Sequence, residues 1–134
     1  METVFLDTGA WLALADRSDA HHKEAARILR DLHEQCQLLT TNLVVAESYV
    51  LILRTLGHEA AIAFLNSIEG SPRTRRVFSD ESLEAAAGEI LRKYRDQDFS
   101  YTDAVSFAVM KRHGIARAFC FDKHFVTAGF TLLP

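Results

Sequence analysis

Thr3-Val4-Phe5-Leu6-Asp7-Thr8-Gly9-Ala10-Trp11-Leu12-Ala13-Leu14-Ala15 stands near the start of the chain and decides its fold class. Residues 3–6 form an unbroken apolar run of strand length, and 10–15 read as a short helix directly after it. A run without polar alternation reads as a strand buried on both faces, as strands of parallel sheets are. Asp7 closes that run, at the end of the strand where open α/β sheets form their sites.

Working outward, the same strand-then-helix order recurs. Ala25, Ile28, Leu29, Leu32 and Cys36 repeat at helical spacing and predict a helix over 20–36, followed by a short strand over 38–40. Asn42 is a good N-cap for a helix over 42–56 that ends at Gly57. Ala61, Phe64, Leu65 and Ile68 mark another amphipathic helix, stopped by Gly70-Ser71-Pro72. Further strands are predicted at 75–78, 117–121 and 130–133. Between them, Ser79 or Asp80 caps a helix striped by Leu83, Ala86, Ala87, Ile90, Leu91 and Tyr94. Ser100 or Thr102 caps the helix of Asp103-Ala104-Val105-Ser106-Phe107-Ala108-Val109-Met110, which Gly114 ends. Strands separated by helices imply an α/β fold: a central parallel sheet flanked by helices on both faces. No linker, repeat or low-complexity tract divides the chain, so residues 1–134 are expected to form one domain of ordinary size.

Four acids occupy positions that a purely structural role explains poorly: Asp7, Glu47, Asp103 and Asp122. Asp122 closes the apolar run Ala118-Phe119-Cys120-Phe121 as Asp7 closes the first. Glu47 lies within Leu43-Val44-Val45-Ala46-Glu47-Ser48-Tyr49-Val50-Leu51. If that run is helical, Leu43, Val44, Val50 and Leu51 share its face and should strip its hydration. A buried charge without a partner is costly, so a metal, a basic residue or a hydrogen-bond network has to compensate. Asp103 opens a helix, where an acid also suits the dipole. Carboxylates that converge on one crevice repel unless a cation lies between them, which makes a divalent-metal site the leading reading. A buried ion-pair network is the alternative.

Composition is that of a globular protein: 49% apolar and 25% charged residues, with mean hydropathy near zero. No run approaches the roughly 20 apolar residues that span a bilayer, and no basic stretch leads into a long apolar one, so a cytoplasmic location is expected. Cys36 and Cys120 show no metal-binding spacing and no reason to pair. Net charge is −3, so the surface as a whole does not attract nucleic acid. Bound metal would mask the acids, however, and basic residues cluster at Arg73-Thr74-Arg75-Arg76, around Lys111-Arg112-His113, and at Lys123-His124 beside Asp122. Lys123, His124 and Arg112 are the candidate RNA contacts. His21, His22, His33, His58 and His113 read as solvated. Trp11 and the nine phenylalanines read as core and interface, not as a base-stacking platform.

Asp7-Thr8-Gly9 also matches the triplet of aspartic proteases, but that fold is almost all β and this chain carries strong helical stripes. A receiver-like phosphoacceptor domain would need an adjacent acid pair at the first strand, and Glu2 lies at its wrong end.

The ordered set of blocks resembles the PIN domain family, and most of all its VapC-type ribonuclease toxins of bacterial toxin–antitoxin pairs. Val4-Phe5-Leu6-Asp7-Thr8-Gly9-Ala10-Trp11 resembles the opening block, and Thr40-Thr41-Asn42-Leu43-Val44-Val45-Ala46-Glu47 the second. Ser100-Tyr101-Thr102-Asp103-Ala104-Val105-Ser106-Phe107-Ala108 resembles the third and most specific block. Ala118-Phe119-Cys120-Phe121-Asp122-Lys123-His124-Phe125, with Gly129-Phe130, resembles the last. Gly9 departs from the pattern, where members often carry Ser. The resemblance implies a Mg²⁺- or Mn²⁺-dependent endoribonuclease in which Asp7, Glu47, Asp103 and Asp122 hold the metal and leave a 5′-phosphate and a 3′-hydroxyl. Asp103 or Asp122 would orient the attacking water. Thr8, Asn42 and Thr102 would support the ligands from behind, although a turn hydroxyl or a helix cap explains each as well. It further implies an RNA substrate, a cognate antitoxin and a homodimer. A stand-alone PIN nuclease of RNA maturation, or a PIN-like module that binds without cutting, shares the same fold.

Overall fold

The computed structural model describes residues 2–32, 34 and 36–133. Five parallel strands, β1 (Glu2–Leu6), β2 (Cys36–Thr41), β3 (Thr74–Val77), β4 (Arg117–Phe119) and β5 (Thr131–Leu132), form one sheet in the order β3-β2-β1-β4-β5. Seven helices connect them among the described residues: α1 (Thr8–Ala15), α2 (His22–Leu32), α3 (Asn42–Leu56), α4 (His58–Gly70), α5 (Glu81–Lys93), α6 (Tyr101–Arg112) and α7 (His124–Thr127). The chain lays β1, β2 and β3 side by side in one direction, then returns across the sheet to β4 and β5. Right-handed crossovers therefore put α1–α4 on one face and α5–α7 on the other. Most helix contacts follow that division: α1 meets α2 and α3, α3 meets α4, and α6 meets α5 and α7, while α3 also touches α6.

β1 is the central strand, and Val4, Phe5 and Leu6 are fully buried, as the unbroken apolar run requires. Strand order reverses between β1 and β4. Leu6 pairs with Phe119 there, and the Asp7 N–H donates to the Phe119 carbonyl at 3.2 Å. This reversal opens the crevice at the carboxyl ends of the two strands. α6 is buried from Thr102 through Met110, sandwiched under α5. Its two basic residues, Lys111 and Arg112, are the first to emerge.

Several boundaries differ from the sequence expectation. The helix expected over 20–36 stops at Leu32. Glu34 reverses the chain at φ +73°, and Cys36 is instead the first residue of β2, paired with Glu2. Cys36 falls on the helical period of Leu32 by coincidence, and strand pairing overrides it. His33 lies outside the described residues. Asn42 is not the N-cap of α3. Thr41 is, its hydroxyl accepting the Val44 N–H at 3.1 Å, while Asn42 Oδ1 accepts the Ser79 N–H at 2.9 Å and ties α3 to the loop before α5. Gly57 ends α3 at φ +96°, a conformation that favours glycine. β4 ends at Phe119 rather than 121. β1 has already turned into α1, and β5 offers only two residues, so Cys120 and Phe121 have no ladder to join.

Candidate metal centre

Asp7 is both the residue after β1 and the N-cap of α1, so the strand-to-helix turn aims its side chain into the crevice. It is 6% exposed. Burial, followed by the charges of Asp103, Asp122 and Glu47, pushes its pKa up to about 7; a hydrogen bond from the Thr8 backbone opposes the shift. Asp103 is buried too, but for a local reason. Ser100 caps α6, its Oγ accepting the Asp103 N–H at 2.9 Å while the Asp103 carboxylate accepts the Ser100 N–H at 3.0 Å. This capping box locks the Asp103 rotamer, so its helix-start role and its place in the cluster coexist. Asp122 is half-buried on the β4–α7 loop and caps the turn into α7 by accepting the His124 N–H at 2.8 Å.

Glu47 corrects the sequence reading. It is exposed, not buried: Val50 and Leu51 beside it are themselves 39% and 38% exposed. α3 leans over the crevice and presents Glu47 at its rim, where Thr8 Oγ1 donates to Glu47 Oε1 at 3.4 Å. The desolvated acid of the set is Asp7.

All four acids line one crevice of about 350 Å³, together with Thr8, Gly9, Asp98, Ser100, Phe121 and His124. His124 is more than a turn residue. One ring nitrogen lies 2.9 Å from Asp103 and 3.5 Å from Asp122, and the other lies 3.0 Å from Asp98. Burial pulls the His124 pKa down, but the hydrogen bond to Asp103, the charges of Asp122 and Asp103 and the bond to Asp98 outweigh it, and the net shift is upward. Ligand atoms of Asp103, Asp122 and His124 all lie within 4.8 Å of one another. Asp98 escaped the sequence reading, and Ser100 entered it as a helix cap but not as part of the crevice. The signal for Asp98 was the acidic pair in Arg95-Asp96-Gln97-Asp98, directly before the third block.

Other expected site residues lie elsewhere. Asn42 and Thr102 do not line the crevice. Thr102 is buried in the first turn of α6, where its carbonyl accepts from Ser106 Oγ at 2.9 Å. Arg112 is nine residues beyond Asp103, about 14 Å along the α6 axis. It pairs there with Asp80 at 3.6 Å and donates to Ser82. Lys123 is exposed just outside the crevice. Gly9 leaves room: a Cβ there would meet nothing within 4 Å, so a Ser would fit.

The donor set suits a hard divalent cation. Carboxylate oxygens dominate it, and Asp7, whose pKa is raised first by burial and then by the charges of Asp103, Asp122 and Glu47, sits deepest among them.

The chain as a whole is similar to known proteins. The family model described as PIN domain matches residues 4–130. The 23S rRNA-specific endonuclease VapC20 of Mycobacterium tuberculosis, from strains CDC 1551 and H37Rv, is 37% identical over 127 residues that cover 95% of this chain and 95% of the relative. The crystal structure of M. tuberculosis VapC20, described as a Sarcin-Ricin loop cleaving toxin, superposes with a TM-score of 0.89 at 36% identity over 96% of each chain. VapBC2 from Rickettsia felis, bound to a promoter DNA fragment, shares the fold at a TM-score of 0.75 and 11% identity, covering 98% of this chain and 97% of that one.

Proposed function

The chain belongs to the PIN domain family, and from that premise we propose that it is a metal-dependent RNA endonuclease, the toxin of a toxin–antitoxin pair, acting in the cytoplasm on a structured loop of 23S ribosomal RNA. One observation carries the reading: a nearly fully buried Asp7, with its pKa lifted to about 7, faces Glu47, Asp103 and Asp122 across a single crevice at the switch point of the sheet. A purely structural fold has no use for that repulsion.

Asp7, Glu47, Asp103 and Asp122 would hold Mg²⁺ or Mn²⁺, with His124 holding the carboxylates of Asp103 and Asp122 from the side. Bound there, the ion supplies charge neutralisation at the scissile phosphate and a lowered pKa for the attacking water. The protein's own part is positional. The capping box holds Asp103 rigid, and the Asp7 turn fixes the deepest carboxylate. Asp103 or the half-buried Asp122 would orient the attacking water. Thr8 steadies Glu47 at the rim.

The test is a labelled RNA hairpin carrying the sarcin–ricin loop, with the DNA hairpin of the same sequence as control. Cleavage of the RNA in Mg²⁺ or Mn²⁺, and its loss in EDTA, is the expected result. Equal cleavage in excess EDTA would overturn the metal assignment. No cleavage of this hairpin or of total ribosomal RNA with either metal would overturn the nuclease assignment.

The partner follows from a second cavity. An apolar groove of about 720 Å³, separate from the acids, is bordered by Trp11, Leu14, Leu29, Ala63 and Phe64 of α1, α2 and α4. Its apolar lining suits the apolar face of an antitoxin helix.

A further inference from the structure

Within the crevice, the phosphate-handling groups are all charged or hydroxylic. Phe121 is the one apolar aromatic side chain among the described residues that line it. Unlike most of the other phenylalanines, it is not core: it is half-buried, with only an edge turned to Phe119 at 6.1 Å. Its ring instead lies parallel to the imidazole of His21, with centroids 4.1 Å apart and planes 10° from parallel. His21 is exposed. One ring comes from the α1–α2 loop and the other from the β4–α7 loop beside Asp122; Phe121 is the one of the two that lines the crevice, and His21 stacks on it.

We infer that the His21–Phe121 stack is a nucleobase platform, which holds a base next to the scissile phosphate and so helps select the cut site. This rests on the reading of the crevice as an RNA nuclease site. Three observations carry it. Unpaired RNA bases are bound largely by stacking on aromatic side chains, and an exposed histidine already stacked on a crevice phenylalanine can extend to a third ring. The loop that presents His21 is pinned before any RNA arrives. Buried Asp16 accepts the Ser18 N–H at 3.0 Å and the Ser18 hydroxyl at 2.7 Å, and Asp19 accepts the His21 N–H at 2.8 Å. Ordering the platform therefore costs little on binding. Finally, the platform shares the Asp122 loop, so a base seated on it is held in register with the acids. The sequence expectation that the phenylalanines serve only core and interface does not extend to Phe121.

The test uses full-length wild type, His21→Ala, Phe121→Leu, Phe121→Trp and the His21→Ala/Phe121→Leu double variant. Each cleaves the sarcin–ricin hairpin and a series of it with one abasic nucleotide stepped through the positions flanking the cut. In wild type, one abasic position should raise KM roughly tenfold, as loss of one stacked base does. The double variant should show that rise already on the intact hairpin, with no further loss on the abasic one and with kcat largely kept. Phe121→Trp should retain the wild-type pattern. His21 is exposed, so His21→Ala reports even if Phe121→Leu folds poorly. If wild type cuts the intact hairpin and no abasic position matters, or if the variants lose equally on every hairpin, the platform is overturned and the nuclease reading stands. If wild type cuts none of these RNAs, both fall.

Discussion

At the scale of single residues, the proposed role of Asp7 as a metal ligand carries a cost for the metal-free fold. Its pKa is about 7 when folded and 3.8 when free, so between those values the folded chain binds a proton that the unfolded chain does not. The stabilisation is complete below the lower value and is lost as pH rises through about 7. We expect metal-free wild type to lose on the order of 3–4 kcal/mol of stability between pH 4 and pH 8 from this group. Asp7→Asn should flatten that slope, melt higher than wild type at pH 8, and abolish cleavage. A mutant that melts far below wild type at pH 8 would instead indicate a buried structural ion pair, which costs about 3–5 kcal/mol to break. Ser48, next to Glu47 in α3 but buried on another face of the helix, offers a stability control. Its hydroxyl is fully buried in α3 and is the only buried side-chain polar atom, among those of the described residues, without a partner. Removing an unsatisfied hydroxyl is nearly neutral or stabilising. Ser48→Ala should leave the melting temperature equal or higher, and a loss above about 1 kcal/mol would reveal a partner for the hydroxyl.

At the scale of elements, α3 has two occupations. Val44, Val45, Ser48 and Ile52 are buried. The exposed apolar residues are Val50, Leu51, Leu53 and Leu56, each 37–39% exposed. Such a patch on one helix favours a twofold contact between copies of the chain. Val50→Glu with Leu53→Glu should shift the sedimenting mass from two chains to one at micromolar concentration while leaving the monomer folded. A wild type that already sediments as one chain would remove the dimer. α4 borders the antitoxin groove, and Ala63 is exposed on its wall. Ala63→Arg should abolish capture of the cognate antitoxin in a pull-down without altering cleavage of free RNA. Retained capture would place the antitoxin elsewhere.

At the scale of the whole molecule, metal and fold are linked. An ion that binds only the folded chain stabilises it by mass action, about 2.7 kcal/mol at a hundredfold excess over Kd. Millimolar Mn²⁺ should therefore raise the wild-type melting temperature by several degrees at pH 8, and much less in Asp7→Asn. No helix among the described residues is long and apolar enough to cross a membrane. Much of this architecture was legible in the chain. Apolar runs and helical stripes mark most of the strands and helices, because burial on one or both faces writes its period into the residues. The β3, α4 and α5 boundaries came out within a residue or a few of the expectation. The sequence also picked out the four acids that converge on one crevice, Asp7 and Asp122 by charge closing an apolar run, Glu47 by charge inside one and Asp103 by its place at a helix start; that they hold a metal belongs to the proposal. What the sequence could not supply were properties of several elements at once. Helical spacing carried Cys36 into the wrong element, because only pairing with Glu2 reveals the strand. The tilt of α3 exposes Glu47 and leaves the desolvation to Asp7. His124 meets Asp98, Asp103 and Asp122 only because α7, α6 and the loop before α6 meet at one sheet edge. The stack of His21 on Phe121 joins loops a hundred residues apart. Sequence period encodes whether a residue is buried, a one-dimensional property. Which buried or charged groups face one another depends on crossover handedness and helix packing, and these exist only in the folded chain.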